Sequence, residues 1–125
     1  MFTDDFRIYE GSFRKLIVWQ EAHKLAVLIY KETMIFPDHE KFGIRAQIRD
    51  AASSIGANIA EGSARSTYKD QNKFYVNAKG SLRETDNFLE LAHDLGYISD
   101  SAYEKILLQL NKVGYLLIRL INRSK

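Results

Sequence analysis

The 125-residue sequence contains no cysteine and only one proline. Without cysteine there is no disulfide framework, no thiol nucleophile and no cysteine-ligated zinc or iron–sulfur site. One proline and seven glycines leave little room for many turns or for disorder, so most of the chain is predicted to be regular structure. The length predicts one domain that can bury a core without disulfides or metals.

Long apolar runs are also missing. The longest, from Leu25 to Tyr30, is far too short to cross a bilayer. Charged residues interrupt the first ten positions, where a secretory signal would need an apolar run. We therefore expect a cytoplasmic protein with no membrane contact. The formal net charge of +2 is too small to indicate nucleic-acid binding by itself.

Apolar residues recur at helical spacing in four segments, and no strand-like alternation of any length occurs. With short connections, this pattern predicts an all-α, antiparallel up-down-up-down four-helix bundle over residues 13–125. Residues 1–12 lack the helical period and are predicted to form an N-terminal arm on the bundle or on a neighbouring subunit. The core stripe expected for the first helix includes Trp19, His23 and Tyr30.

Capping signals place the other helix ends. Asp38, after the only proline, is the expected N-cap of the second helix, and Thr67 has capping-box spacing for the third. Gly96 is placed to end the third helix in left-handed geometry. Either Ser99 or Ser101 is expected to cap the fourth helix.

The central helix, from Ile44 to Arg65, carries two different faces. Its apolar stripe comprises Ile44, Ile48, Ala51, Ala52, Ile55, Asn58, Ile59 and Gly62. Five small residues lie on the opposite side: Ala46, Ser53, Ala57, Ala60 and Ala64. Because a solvated face usually carries Lys and Glu, we interpret these small residues as a second helix seam or an oligomer interface. The alternative is a tolerated alanine surface, since alanine is the best helix former.

The end of this helix carries further packing residues. Glu61 and Arg65 stand four apart, in the favourable order for an ion pair. Gly62 costs roughly 1 kcal/mol relative to alanine inside a helix, so its presence predicts close approach of another backbone. Asn58 needs a partner for its amide. No nucleophile–base pair accompanies these residues, so we expect no enzyme activity.

After Glu104 the chain contains basic residues and no acidic one. Four of these basic residues lie on the fourth helix, within about 40° of one another around the helix axis. The stripe consists of Lys105, Lys112, Arg119 and Arg123. A second, weaker patch on the third helix consists of Lys69, Lys79 and Arg83. These are the candidate nucleic-acid contacts; the alternative is an ordinary solvated face, because no cluster of stacking aromatics accompanies the stripe.

Two histidines are candidate metal ligands. Glu90 and His93 have the Glu-x-x-His spacing of di-iron bundles, but that site needs the motif twice, so neither a metal nor another cofactor is expected. His23 is interpreted as a hydrogen-bonded core residue.

Several blocks of residues together resemble one family. They are Leu16-Ile17-Val18-Trp19-Gln20-Glu21-Ala22, Phe36-Pro37, Gln47-Ile48-Arg49, Asn58-Ile59-Ala60-Glu61-Gly62 with Arg65, Phe74, Ala78, Gly80-Ser81-Leu82 with Glu84, and Leu95-Gly96-Tyr97. These blocks resemble the small bacterial four-helix-bundle proteins encoded in ribosomal-RNA intervening sequences, a family similar to the accessory protein of diversity-generating retroelements. Asp50 departs from the family pattern, which has a basic residue after Arg49, and this weakens the case for RNA at that position.

The resemblance implies a homo-oligomeric ring, most often a pentamer, without enzyme activity or a small-molecule substrate. It also implies contact with RNA, DNA or a ribonucleoprotein. Two other hypotheses stay open from the sequence: a protein-binding adaptor with no nucleic-acid role, and a bundle that binds a small molecule or a metal.

Overall fold

In the computed structural model of the chain, residues 13–123 are described. They form four α-helices: α1 (Ile17–Glu32), α2 (Ile44–Ser63), α3 (Tyr68–Asp94) and α4 (Asp100–Asn122). Short 3-10 helices at Phe13–Lys15 and Asp38–Glu40 precede α1 and α2. No strand occurs within the described range, so the all-α prediction is confirmed. The N-terminal arm predicted for residues 1–12 lies outside that range.

Each helix packs against two others. α1 contacts α2 and α4, and α3 contacts the same two helices. Across the described residues, α1 does not contact α3, and α2 does not contact α4. The pair α1 and α2 therefore forms one side of the fold and the pair α3 and α4 the opposite side. None of the helices between residues 13 and 123 has both the length and the apolar character needed to cross a bilayer.

The predicted apolar stripe of α2 lies in the core. Seven of its eight residues are buried, and Asn58 is half-buried at the edge. The Asn58 amide donates to the carbonyl and the hydroxyl of Ser54, at 2.9 and 3.1 Å. Ser81 of α3 donates to the same hydroxyl at 3.0 Å. This chain of hydrogen bonds satisfies the polar groups between α2 and α3.

Gly62 lies at a close contact between α2 and α3. A Cβ added at this position would lie 2.8 Å from Tyr75 Cε1, 2.9 Å from Phe74 Cβ and 3.1 Å from the Gln71 carbonyl oxygen. Such distances are shorter than van der Waals contact, so the close approach expected from the sequence is present. Gly80 differs, because a Cβ there would meet nothing within 4 Å.

The core stripe predicted for α1 is wrong at His23 and Tyr30. The buried residues of this helix are Val18, Glu21, Ala22, Leu25 and Ile29. His23 is exposed rather than a core residue, and Tyr30 is 43% exposed. Trp19 is half-buried and packs against the core. α1 therefore carries an aliphatic stripe in the core and an aromatic stripe at its edge.

Three of the predicted helix-end residues are present and one is wrong. Thr67 Oγ1 accepts the Asp70 N–H at 3.2 Å, and Gly96 has a φ of 76°. Ser99, one of the two alternatives for α4, caps that helix. Asp38 does not cap α2, because it begins the 3-10 helix; there Glu40 accepts the first α2 N–H through its carboxylate instead.

Candidate functional site

An open groove of about 600 Å³ runs between α1 and α2. We call it the α1/α2 groove. One wall consists of Phe13 and the exposed stripe of α1, including Trp19, His23, Val27 and Tyr30. The floor is the small-residue side of α2, with Ser53, Gly56, Ala57 and Ala60.

Aromatic rings build the α1 wall. Phe13 packs edge-on against Trp19 with ring centroids 5.0 Å apart, and His23 stacks on Trp19 at 4.8 Å. A Cβ at Gly56 would lie 3.4 Å from Trp19 Nε1, an ordinary van der Waals contact, so the indole lies directly beside α2 at this position. The sequence interpretation did not single out Gly56, because its role depends on a contact between two helices.

The five seam residues of α2 are divided between the groove and its surroundings. Ser53, Ala57 and Ala60 line the groove, whereas Ala46 and Ala64 do not. The Ser53 hydroxyl donates to the Asp50 carbonyl at 3.1 Å, so its hydrogen-bonding need is met within α2. The floor is therefore an apolar surface that a single chain leaves open, and exposed apolar surfaces of this kind are typical of interaction sites.

A basic face lies beside the groove, between α1 and α4. The charged side chains that line its cavity of about 380 Å³ are Lys24, Lys31 and Glu32 of α1 and Lys105 of α4, three basic and one acidic. Lys112 lies about two helical turns beyond Lys105 and also faces α1, where it pairs with Glu21. Four lysines thus meet across two helices. The sequence interpretation found only the two on α4, because helical periodicity does not report contacts between helices.

Glu21 is a buried carboxylate at the base of this face. Gln109 donates to its Oε1 at 3.1 Å and to its backbone carbonyl at 2.9 Å, while Lys24 and Lys112 each lie 3.2 Å from a carboxylate oxygen. The hydrogen bond from Gln109, with support from the two lysines, lowers the pKa of Glu21 to about 2 although burial opposes ionisation. Glu21 therefore ties α1 to α4 in its charged form.

Glu21→Gln is expected to lower the free energy of unfolding by about 2 kcal/mol at pH 7. The folded-state pKa lies below the usual value of 4.5, so the stabilisation is present above pH 4.5 and is lost as the pH falls towards 2. Urea unfolding at pH 7 and near pH 2.5 checks this, with the exposed Glu104→Gln as the matched control. Equal destabilisation by Glu21→Gln at both pH values would contradict the assigned role.

The two arginines of the α4 stripe are engaged within the fold. Arg123 donates to Asn72 Oδ1 at 3.1 Å and to the side chain of Gln71, and its guanidinium lies 4.3 Å from the centroid of the Tyr68 ring. Arg119 donates to the Tyr115 hydroxyl at 3.3 Å. Arg123 thus holds the end of α4 against α3, and the predicted four-residue basic stripe separates into two lysines facing α1 and two arginines beside aromatic rings.

The remaining candidates do not gather into one site. Lys69 and Arg83 are exposed and Lys79 is half-buried, with about 15 Å along α3 between the two lysines. Glu61 and Arg65 form the expected ion pair at 2.7 Å, and the Arg65 guanidinium lies 4.7 Å from the centroid of the Phe74 ring. These contacts are local packing between α2 and α3.

One group in the described part of the chain has metal-ligand geometry. Glu90, His93 and Asp94 each place one ligand atom within 4.8 Å of the others. His93 Nε2 is already 2.6 Å from Asp100, and Tyr103 donates to Glu90, which raises the pKa of the tyrosine to about 12. These side chains already have partners at the junction of α3 and α4.

Comparison with known proteins identifies a family and structures of similar fold. The family model described as 23S rRNA-intervening sequence protein matches residues 14–119. A crystal structure from Bacteroides thetaiotaomicron, of a protein of unknown function in the S23 ribosomal protein family, is 29% identical and superimposes with a TM-score of 0.76. The alignment covers 85% of this chain and 99% of that one. No curated protein matches the chain.

Proposed function

The chain belongs to the 23S rRNA-intervening sequence protein family, and from this membership we propose that it is a non-enzymatic, homo-oligomeric helical scaffold of the cytoplasm. The observation that carries the proposal is the α1/α2 groove, an apolar surface that one chain leaves open. The subunit is an antiparallel up-down-up-down bundle. Short connections and the contacts of each helix with two others support that topology.

The shape of the groove favours a ring over a symmetric dimer. A two-fold contact brings the same patch of both subunits together, and a concave groove cannot fill itself. The groove must therefore take a different surface of the next copy, and a head-to-tail contact of this kind closes into a ring or grows into a filament. We favour the ring, with five subunits, from the family resemblance.

Exposed apolar side chains elsewhere support assembly. Leu108 and Tyr115 point outwards from α4, 75% and 60% exposed, on the side of the fold away from the α1/α2 groove. Large apolar residues on two separate surfaces fit a subunit with two neighbours better than one with a single partner.

We further propose that the basic face binds RNA or DNA. Lys31 and Lys105 line its cavity, and within residues 13–123 neither has an ion-pair partner. Charge-based binding would be largely independent of sequence and would weaken as salt displaces the contacts.

Lys31→Glu combined with Lys105→Glu is expected to weaken binding of a structured RNA at least tenfold. The mass of this variant in solution is measured beside the binding, because Lys31 also lines the α1/α2 groove. The double variant should also lower the slope of log K against log salt by about 2, because each lost phosphate contact lowers it by about 1. Electrophoretic shift across a salt series measures both values. The matched control is Lys41→Glu with Lys73→Glu, which makes the same change of charge at exposed positions outside both candidate patches.

Equal losses in both double variants would mean that only overall charge matters and would remove the assignment to the basic face. Absence of binding by the parent protein at every salt concentration would leave the scaffold alone. A protein that co-purifies from the native cell would then favour the adaptor hypothesis.

A further inference from the structure

We propose that residues 1–12 of one copy occupy the α1/α2 groove of the next copy. This inference rests on the proposed self-association and names the segment that fills the groove. Phe13, the first described residue, is itself part of the groove wall. The segment before it is therefore joined to the fold at the groove.

The residue types of this segment suit the groove. It contains four large apolar residues, Phe2, Phe6, Ile8 and Tyr9, within its first nine positions. Large side chains fit a floor of small ones, because alanine and glycine leave the space that an inserted ring needs.

The charges also match. Residues 1–12 contain three acidic side chains and one basic one. The groove is lined by Lys31 and His23 and, among the described residues, by no acidic side chain. The apolar floor does not determine the direction in which a segment binds. Attraction between the acidic side chains of the segment and the basic side chains of the groove would determine it.

The length is sufficient. From Trp19 to Lys31 the groove follows α1 for about 18 Å. Twelve extended residues reach about 40 Å, so the segment can cross from one subunit and still line a groove of this length.

The start of α1 lies at the groove. The Phe13 carbonyl accepts the Leu16 N–H at 2.9 Å, and the Phe13 ring packs on Trp19. The 3-10 helix Phe13–Lys15 contacts α2 as well as α1, so this turn touches both sides of the groove. The proposed head-to-tail contact brings the groove of the next copy against this subunit, and we therefore assign the segment to that groove.

The absence of cysteine allows a direct test. One preparation of the full chain carries Ile8→Cys and a second, enlarged by a tag, carries Ala57→Cys. The two are mixed under conditions that exchange subunits and then oxidised. We expect a mixed-size disulfide dimer on a non-reducing gel, from half of the protein or more. A third preparation, with Leu108→Cys, tests the outer face of α4 as a rival occupant.

Each result has one meaning. A mixed dimer with Ile8→Cys and none with Leu108→Cys supports the inference. A mixed dimer with Leu108→Cys alone, or with neither variant, overturns it. A chain that carries both Ile8→Cys and Ala57→Cys provides a second check, and rapid formation of a disulfide within that single chain also overturns the inference.

The molecular mass separates this inference from the proposed function. If the parent chain assembles but the Ile8→Cys dimer does not form, the scaffold stands and the role of residues 1–12 falls. If the parent chain is monomeric, both fall. Phe6→Asp with Ile8→Asp should weaken assembly at least tenfold, whereas Thr3→Asp should leave it unchanged.

Discussion

Gly62→Ala is expected to lower the free energy of unfolding by about 2 kcal/mol, although alanine is the better helix former. The helix gains about 1 kcal/mol from the substitution. The added methyl group would meet Tyr75, Phe74 and the Gln71 carbonyl at 2.8 to 3.1 Å. Tyr75 is buried and the carbonyl belongs to the backbone of α3, so relief requires movement of a helix and overpacking costs about 3 kcal/mol.

Gly80→Ala is the matched control, with the same chemical change on α3. Since its added methyl group meets nothing within 4 Å, it should raise the free energy of unfolding by about 0.5–1 kcal/mol. Urea unfolding at one protein concentration measures both variants, because assembly makes stability depend on concentration. A stabilised Gly62→Ala protein would mean that α2 and α3 are further apart than described.

Ala57→Arg is expected to convert the assembly into single chains. Ala57 is exposed on the groove floor, so a long charged side chain does not disturb the core of the subunit. Within an interface the same side chain would fill the groove and bury a charge without a partner, which costs several kcal/mol. An increase of at least a hundredfold in the dissociation constant follows from about 3 kcal/mol.

Asn77→Arg makes a similar change at an exposed position of α3 and should leave assembly intact. Sedimentation velocity compares the two variants, and circular dichroism confirms that both keep their helices. If Ala57→Arg retained the mass of the parent, the groove would not be the contact surface.

The α2 helix was the most predictable part of the fold. Its apolar stripe has one clear direction, because the other side carries only small or polar residues. Burial therefore follows the helical period, and Gly62 stands out as a residue that a solvated helix would not retain. Local capping rules likewise placed Thr67 and Gly96, since both depend on neighbouring residues alone.

The α1 helix was less predictable, for a physical reason. It has an aliphatic stripe through Val18, Ala22, Leu25 and Ile29 and an aromatic stripe through Trp19 and its neighbours. Large aromatic side chains favour the prediction that the aromatic stripe faces the core. In the structure the aliphatic stripe is buried instead. Periodicity reports that a face is apolar and not which partner covers it.

The candidate sites depend on contacts between helices, and these were the least predictable. The small-residue side of α2 could be predicted from its own residues, but the groove also needs the aromatic wall of α1. The basic face needs Lys24 and Lys31 beside Lys105, and no single-helix pattern relates them. Arg123 was predicted to be a nucleic-acid contact because its partners Asn72 and Tyr68 lie some fifty positions earlier in the sequence, out of reach of a single-helix pattern.

The mass of the parent protein in solution, measured by sedimentation equilibrium over a hundredfold range of concentration, tests most directly whether a second copy covers the small-residue side of α2. We predict a multiple of 14.4 kDa, with five copies favoured, that persists on dilution to the low micromolar range. A constant mass of 14.4 kDa across the whole range would contradict the scaffold and leave the groove facing water.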